Sequence, residues 1–452
     1  MTRLDTLIAE LKSRRLLVVG LGKTGHSVCL FLSEHGVAFD AVDDRPEPPL
    51  AAEVAALPLT GTVLDSFSME QFSTYDVLIV SPGVALTTPA IQAAIDAGVE
   101  VVGDVELFTR AAEAPIIAVT GSNGKSTVVA WLDAVLTKTK LNSVLCGNIG
   151  EPVLSALNST ADLYVLELSS FQLEATQSLH TLSATVLNIS EDHMDRYTSL
   201  EEYASVKRKI YHGCETCVIN LQDRRTWANS EDRAVADIIG FGEDAPATGE
   251  FGLQEHRGAS WLANSKGPIL PVAELPVPGL HNALNALAVL ALLQPLALPS
   301  SDLIKGLKSF TGLPHRTELV SECNGVRWYN DSKGTNVDAC AKAIAAMDGP
   351  VILIMGGLGK DADFAPLRAL VAERVKALVL IGRDAGLIKQ TLDGVVDAHD
   401  ATDMHDAVSR CAALATTGDA VLLSPGCASF DMFDSFEQRG DVFTQAAQQV
   451  AA

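Results

Sequence analysis

The residues best placed to do chemistry in this chain are Ile116-Ile117-Ala118-Val119-Thr120-Gly121-Ser122-Asn123-Gly124-Lys125-Ser126-Thr127. An apolar run enters a glycine-bracketed turn, and the turn ends in a lysine followed by two hydroxyl residues. A buried strand feeding such a turn, with a helix beyond it, makes a phosphate cradle. Backbone N–H groups and the helix N-terminus face the anion, Lys125 reaches the outer phosphates, and the Ser126 hydroxyl can hold Mg²⁺. The spacing is short: only Ser122 and Asn123 separate Gly121 from Gly124, and Val119 stands where the common pattern has its first glycine. A tight strand-to-helix turn with an incidental lysine is the competing reading. The apolar strand running straight into Gly124-Lys125-Ser126-Thr127 argues against it.

A second glycine turn, Gly20-Leu21-Gly22-Lys23-Thr24-Gly25, follows the apolar run Leu16–Val19, and Asp43 closes a further strand-like run, Ala38–Val42. Together these match the dinucleotide fingerprint, with the acid placed for a ribose hydroxyl, and suggest a nicotinamide oxidoreductase. The physics is broader. A diphosphate at a helix N-terminus beside a sugar describes a UDP-sugar equally well. Ser81-Pro82-Gly83, after the run Val77–Val80, belongs on the same carboxyl edge, where open α/β sheets bind ligands.

Ionisable residues collect at other strand ends. Glu167 closes the apolar run from Leu163, where an unpaired buried carboxylate would cost several kcal/mol and a metal ion would remove that cost. Glu191, Asp192, His193 and Asp195 follow another apolar run and read as a site rather than a solvated loop; His193 can take a metal or a phosphate. Lys207, in the helical segment Tyr203–Ile210, reads by composition as part of a solvated basic face. Farther on, Arg316, Asp331 and Lys333 lie in loops broken by Pro314 and Gly334 and suit ATP and a transferring phosphoryl group. The turns Met355–Lys360 and Ser424–Ser429 suit a small anionic substrate, with Lys360 as the charge. Cys214 and Cys217 form a lone pair at C-x-x-C spacing, which reads as structural rather than as zinc ligands.

These motifs need a frame, and alternation of apolar runs with helical segments supplies one of α/β type. The strands expected are Leu16–Val19, Asp76–Val80, Ile116–Val119, Tyr164–Leu168, Ala184–Asn188, Val351–Ile354, Val375–Ile381 and Ala420–Leu423. A length of 452 residues suggests about three domains. Hydrophobic residues make up 48% of the chain, enough for sizeable cores. The net charge of −23, with no basic patch, argues against nucleic acid and anionic membrane as partners. The apolar stretch Ala283–Leu298 is interrupted by Asn285, Gln294 and Pro295 and is too short to span a bilayer, and Met1–Arg15 has no secretory core. Eight scattered cysteines fit a reducing, cytoplasmic setting.

In order along the chain, Thr120–Ser126, Glu167–Leu173, Asn188–Tyr197, His281–Asn285, Gly312–Arg316 and Asn330–Asn336 resemble the motifs of the Mur ligase family of peptidoglycan precursor synthesis. Gly103–Phe108, Leu166–Leu173, Glu191–Tyr197 and Phe436–Gly440 resemble most the branch that adds D-glutamate to UDP-N-acetylmuramoyl-L-alanine. The departures are Lys23, where an apolar residue is common, Asp44, where a hydroxyl residue is common, and Gly334 in place of alanine. The resemblance implies three domains: a Rossmann-like UDP-substrate domain over 1–103, a central P-loop ATPase-type domain over 104–312 and a Rossmann-like amino-acid domain over 313–452.

The resemblance also implies the site. Gly121, Ser122, Asn123, Gly124, Lys125, Ser126, Thr127, Asn285, Arg316 and Asp331 would hold ATP. Thr24, Asp43, Arg45, Gly83, Asn148 and His193 would face the UDP substrate, and Lys333, Thr335, Lys360, Ser429 and Phe436 would frame D-glutamate. Ser126 and Glu167 would bind one Mg²⁺, and His193 with a CO₂-derived carbamate on Lys207 would bind a second. Lys125, His193 and Lys207 would carry the chemistry, in a cytoplasmic monomer. The alternatives outside this class are the nicotinamide oxidoreductase and a non-catalytic ATP-binding switch, which needs neither a second set of metal ligands nor a third domain.

Overall fold

The computed structural model describes residues 1–158 and 160–451. The chain is an α/β protein of three domains built on three sheets, grouped in two compact units. The first unit comprises Met1–Ile189, Glu201–Glu274 and Leu284–Phe310; the second comprises Ser190–Leu200, Leu275–Ala283 and Thr311–Ala452.

In the first unit, β1 (Leu16–Val19), β2 (Phe39–Val42), β3 (Thr60–Leu64), β4 (Val77–Val80) and β5 (Glu100–Val102) form a parallel sheet in the order β3-β2-β1-β4-β5. Strands β1 and β4 are buried along their whole length, which explains their unbroken apolar runs. The order reverses between β1 and β4, so the turns at Gly20 and Ser81 meet at the switch point, where the Ser81 hydroxyl donates to the Gly20 carbonyl at 2.7 Å.

The same unit holds a nine-stranded sheet. Its strands are β6 (Ile116–Thr120), β7 (Ser143–Gly147), β8 (Leu163–Glu167), β9 (Thr181–Val186), β10 (Cys214–Asn220), β11 (Asp237–Phe241), β12 (Glu250–His256), β13 (Ala259–Asn264) and β14 (Gly267–Pro271). The order is β14-β13-β12-β11-β10-β9-β6-β8-β7, antiparallel only at β12-β13-β14. β9 begins at Thr181 and ends at Val186, three residues earlier at its start than the apolar run suggested, because its pairing with β10 starts at Thr181↔Cys214. Cys214 and Cys217 both lie in β10 as buried free thiols.

A buried charge network ties the two sheets together. Glu106, 1% exposed, accepts from the Gln177 and Ser178 N–H groups, the Ser178 hydroxyl and Arg110, while Arg110 also reaches Glu100. The Gly103 N–H donates to the Ala175 carbonyl at 3.0 Å.

In the second unit, β15 (Glu318–Cys323), β16 (Val326–Asn330), β17 (Val351–Gly356), β18 (Val375–Ile381), β19 (Ala398–Asp400) and β20 (Ala420–Leu423) run in the order β15-β16-β20-β17-β18-β19, antiparallel only at β15-β16. Alternate residues of β17 enter opposite cores: Val351, Leu353 and Met355 on one face, Ile352 and Ile354 on the other. Among the described residues, no helix is long and apolar enough to cross a membrane.

Asp104, first residue of the helix Asp104–Ala111, is buried; burial pushes its carboxyl up to about 6, and Oδ1 has no hydrogen-bond partner. A folded-state value raised above the unfolded one stabilises the native state at low pH, and that stabilisation is lost as pH rises through about 6. Thermal unfolding of D104N beside the parent protein should show the parent losing about 3 kcal/mol relative to the variant between about pH 4 and pH 6. A difference that does not change with pH would mean that Asp104 is charged or neutral throughout.

Candidate active site

β6 lies between β8 and β9, with Val119 opposite Glu167 and Thr120 opposite Val186. The loop leaving β6 therefore opens between two strand ends. It runs into the helix Lys125–Leu136, capped by Gly124 at φ +88°, a left-handed conformation that favours glycine. Asn285 is brought to the same place, its Oδ1 3.0 Å from where a Gly124 Cβ would sit. Ser126 and Thr127 are buried, and Lys125 folds back so that Nζ donates to the carbonyls of Gly121 and Ser122 at 2.8 and 3.0 Å.

Asn188, one residue beyond Leu187 at the exit of β9, fixes this loop. Its Oδ1 accepts from the Asn123 N–H at 2.9 Å, its Nδ2 donates to the Asn123 carbonyl at 2.9 Å, and its own carbonyl accepts from the Ser122 N–H at 2.9 Å. The sequence marks Asn188 as the first polar residue after an apolar run and the start of the family-like stretch Asn188–Tyr197, without showing that it holds this loop.

Two ionisable side chains are buried nearby, one at the end of the neighbouring strand β8 and one against the loop itself. Glu167 is 1% exposed; Oε1 accepts from Asn148 Nδ2 at 2.7 Å, and Oε2 is buried with no hydrogen-bond partner. Asn148 is held in turn by its N–H, which donates to the Glu167 carbonyl at 2.8 Å. The approach is close enough that a Cβ on Gly147, at φ +117°, would lie 2.3 Å from the Glu167 carbonyl oxygen.

Lys207 is the second. It is 1% exposed, with Nζ donating to the Gly121 carbonyl at 3.0 Å and lying 4.6 Å from the centre of the Tyr203 ring. The solvated basic face expected from composition is overturned at this residue. In the helix Leu200–Arg208, Tyr203, Ala204 and Lys207 lie on the buried side, whereas Arg208 pairs with Glu201.

At the N-terminal sheet, Thr24 is the second residue of the helix Lys23–Glu34 and Gly83 is exposed after β4. Asp43 is buried, and its Oδ2 accepts from the Leu21 N–H at 2.7 Å and from Arg45 at 2.6 Å. Arg45 holds this carboxyl down at about 2. Asp43 thus braces the glycine turn through its carboxylate, and Arg45 is the half-exposed member of the pair. Lys23 Nζ donates to the Gly150 carbonyl at 3.1 Å, so this departure from the common apolar residue reaches the segment that carries Asn148.

In the second unit, β16, β20 and β17 are neighbours, so their carboxyl ends bring Asp331–Thr335, Ser424–Ser429 and Gly357–Lys360 together although the sequence scatters them. Asp331 is buried, accepting from the Ser424 hydroxyl at 2.7 Å and the Thr317 N–H at 3.1 Å; burial pushes its carboxyl up to about 6. Lys333 Nζ lies 3.8 Å from the centre of the Phe436 ring.

A cavity of about 300 Å³ in this unit is lined by His193, Thr335, Asn336 and Lys360 among others. Asp192 lies 3.6 Å from His193 and 4.0 Å from Lys360. Lys333, Ser429 and Phe436 are not among the described residues lining this cavity. A second cavity, of about 560 Å³, sets Arg316, Asn282 and Thr317 against Val277, Leu313 and Tyr329. Ser126, Glu167 and Lys207 belong to the first unit and His193 to the second.

Among the described residues, no group of three or more His, Cys, Asp or Glu side chains could hold a metal. Mg²⁺ usually keeps several waters and takes one or two carboxylates plus substrate phosphates. The orphaned Glu167 Oε2 beside a phosphate loop offers such a ligand.

Truncating Asn188 to alanine leaves the Asn123 N–H and carbonyl without their partner at the loop tip. Nucleotide affinity measured by calorimetry should fall about tenfold, with the fold retained by circular dichroism. Unchanged affinity in the folded variant would remove Asn188 from the loop's function.

Residues 14–103 match the N-terminal domain of MurD-like Mur ligases, residues 119–293 the Mur ligase middle domain and residues 315–427 the Mur ligase glutamate ligase domain. The chain is 45% identical to the UDP-N-acetylmuramoylalanine–D-glutamate ligase of Nitrosococcus oceani, over 96% of each chain, and 45% identical to the same enzyme of Methylobacillus flagellatus, over 97% of each. In fold it is similar to MurF from Acinetobacter baumannii, with a TM-score of 0.63, 16% identity and coverage of 97% of this chain and 98% of that one. A phosphate loop braced from β9, a buried carboxylate and a buried lysine beneath it, and full-length likeness at this level have one explanation: the chain belongs to the Mur ligase family, in the branch of the UDP-N-acetylmuramoylalanine–D-glutamate ligases.

Proposed function

We propose that this protein joins D-glutamate to UDP-N-acetylmuramoyl-L-alanine at the expense of ATP, in peptidoglycan precursor synthesis. The observation that carries this reading is the 45% identity, over 96% of both chains, to a UDP-N-acetylmuramoylalanine–D-glutamate ligase. The nicotinamide reading of the first glycine turn gives way to the UDP reading, and the three domains leave the ATP-binding switch without support.

A carboxylate is a poor acyl donor, so the reaction is proposed to proceed in two displacements. An oxygen of the L-alanyl carboxylate attacks the γ-phosphorus of ATP, the bond to the β-phosphate breaks, and ADP leaves behind an acyl phosphate. The neutral amine of D-glutamate then attacks the acyl carbon; inorganic phosphate leaves and the amine gives up a proton. Several anionic oxygens converge, so the protein's contribution is positioning and charge neutralisation.

Lys125 and the loop from Gly121 to Thr127 are assigned to the phosphates, together with Asn285, Arg316 and Asp331 for the rest of ATP; the cavity around Arg316 has an apolar wall suited to the base. Ser126 and Glu167 would hold one Mg²⁺, and His193 with carbamylated Lys207 a second. Carbamylation converts a buried cation into an oxygen ligand for a hard metal. The metal, when bound, supplies positive charge to the phosphoryl oxygens. Thr24, Asp43, Arg45, Gly83 and Asn148, with His193, are assigned to the UDP substrate, and Lys333, Thr335, Lys360, Ser429 and Phe436 to D-glutamate. Eight free cysteines support work in the reducing cytoplasm, where ATP and UDP-linked precursors are found, and a monomer is the proposed working form.

Phosphate release from ATP and UDP-N-acetylmuramoyl-L-alanine, followed across a panel of amino acids, tests the reading. Release should depend on D-glutamate, fall at least about a hundredfold in K207A and return in part when a short carboxylic acid is added. Release indifferent to D-glutamate would overturn the assignment, and full activity in K207A would remove Lys207 from the site.

A further inference from the structure

The helix Phe436–Ala451 carries Arg439, which is 1% exposed, an unusual place for a guanidinium. Its three hydrogen bonds go to neutral acceptors. Nε donates to the Ser332 hydroxyl at 2.9 Å, Nη2 to the Ser332 carbonyl at 2.7 Å and Nη1 to the Cys427 carbonyl at 3.0 Å. The Ser332 hydroxyl passes the contact on, donating to the Phe436 carbonyl at 2.8 Å. The two loops also touch directly, through the Gly426 N–H and the Gly334 carbonyl at 2.8 Å.

One planar fork therefore joins the three segments that carry Lys333 and Thr335, Ser429, and Phe436. A neutral side chain with two donors could make most of these bonds. The charge is what stapling alone does not explain, since a buried cation without an ion pair costs several kcal/mol. Burial pulls the Arg439 pKa down to about 10, against the opposing influence of Asp431 and Asp331. An anionic ligand at the adjoining loops would offset that cost, and the amino acid assigned there carries two carboxylates.

We propose that Arg439 is a positioning residue of the amino-acid site: it sets the Ser332–Thr335 loop, the Cys427–Ser429 turn and Phe436 in register, and its uncompensated charge draws the dicarboxylate substrate to them. This rests on the reading of the protein as a D-glutamate ligase. Arg439 touches no reacting atom; it acts through Lys333, Thr335, Ser429 and Phe436.

Steady-state kinetics of R439Q, R439K and R439A, each checked for folding by thermal unfolding, test it. R439Q should raise the KM for D-glutamate at least about tenfold while kcat and the KM values for ATP and the UDP substrate stay within about threefold. R439K, which keeps the charge and loses the fork, should fall between R439Q and the parent. Free ethylguanidinium should lower the raised KM of R439A.

A KM for D-glutamate that is unchanged in a folded variant, or three KM values rising together with a lowered unfolding temperature and no guanidinium rescue, would overturn the proposal. If R439A does not fold, the KM values of R439K and R439Q decide between the same outcomes. The parent enzyme separates this from the functional reading. If another amino acid drives phosphate release, the reading of D-glutamate fails and the KM comparison is made with that amino acid; if none does, both fall.

Discussion

Lys207 is held out of water beneath the turn that follows β6, with its Nζ against the Gly121 carbonyl, and Glu167 is held out of water one strand away. Taking a charge out of water costs several kcal/mol, and a fold keeps it there only when something returns that energy. At Glu167, one carboxylate oxygen is matched by Asn148 and the other is left without a partner. The rest of the central site follows from this constraint. The loop needs bracing, which Asn188 supplies from β9; Asn148 must stay beside Glu167, which the tight approach at Gly147 secures. A hard cation and the phosphates of a nucleotide are the partners that make the arrangement reasonable.

Sheet order does the assembling. In each sheet the turns proposed to hold ligands leave neighbouring parallel strands: β1 and β4 in the first, β8, β6 and β9 in the second, β16, β20 and β17 in the third. Parallel strands bury both faces, so they read as continuous apolar runs, and their carboxyl ends are the natural places for polar groups to emerge together. Residues as far apart as Asp331 and Ser424 become hydrogen-bond partners for that reason, at 2.7 Å. The same logic places Arg439, distant in sequence from Ser332, where one guanidinium can hold two loops.

Much of this was legible in the chain. β1, β18 and β20 occupy the apolar runs that announced them, and the turns after β1 and β6 lead into helices as their glycines suggested. Less legible were the strands from β10 to β14, whose sequences mix polar and apolar residues because part of that sheet is antiparallel and half-exposed, as in β13. Lys207 was readable only through family likeness, since a lysine among Lys and Arg residues in a helix looks solvated and its burial depends on which side the neighbouring strands cover. Asp43 matched a sugar-binding fingerprint, and the hydrogen bonds its carboxylate accepts from Leu21 and Arg45 are contacts that strand spacing does not reveal. Arg439 lay within the family-like stretch Phe436–Gly440, but its burial left no signal: nothing local distinguishes a buried arginine on a mixed helix from an exposed one.

The central claim is that this site activates a carboxylate by phosphorylating it. The most direct measurement labels both oxygens of the L-alanyl carboxylate of UDP-N-acetylmuramoyl-L-alanine with ¹⁸O, runs the reaction with ATP and D-glutamate, and reads the inorganic phosphate by mass spectrometry. Formation of an acyl phosphate requires one ¹⁸O atom to appear in each phosphate released. Phosphate free of ¹⁸O, alongside product formation, would contradict the claim.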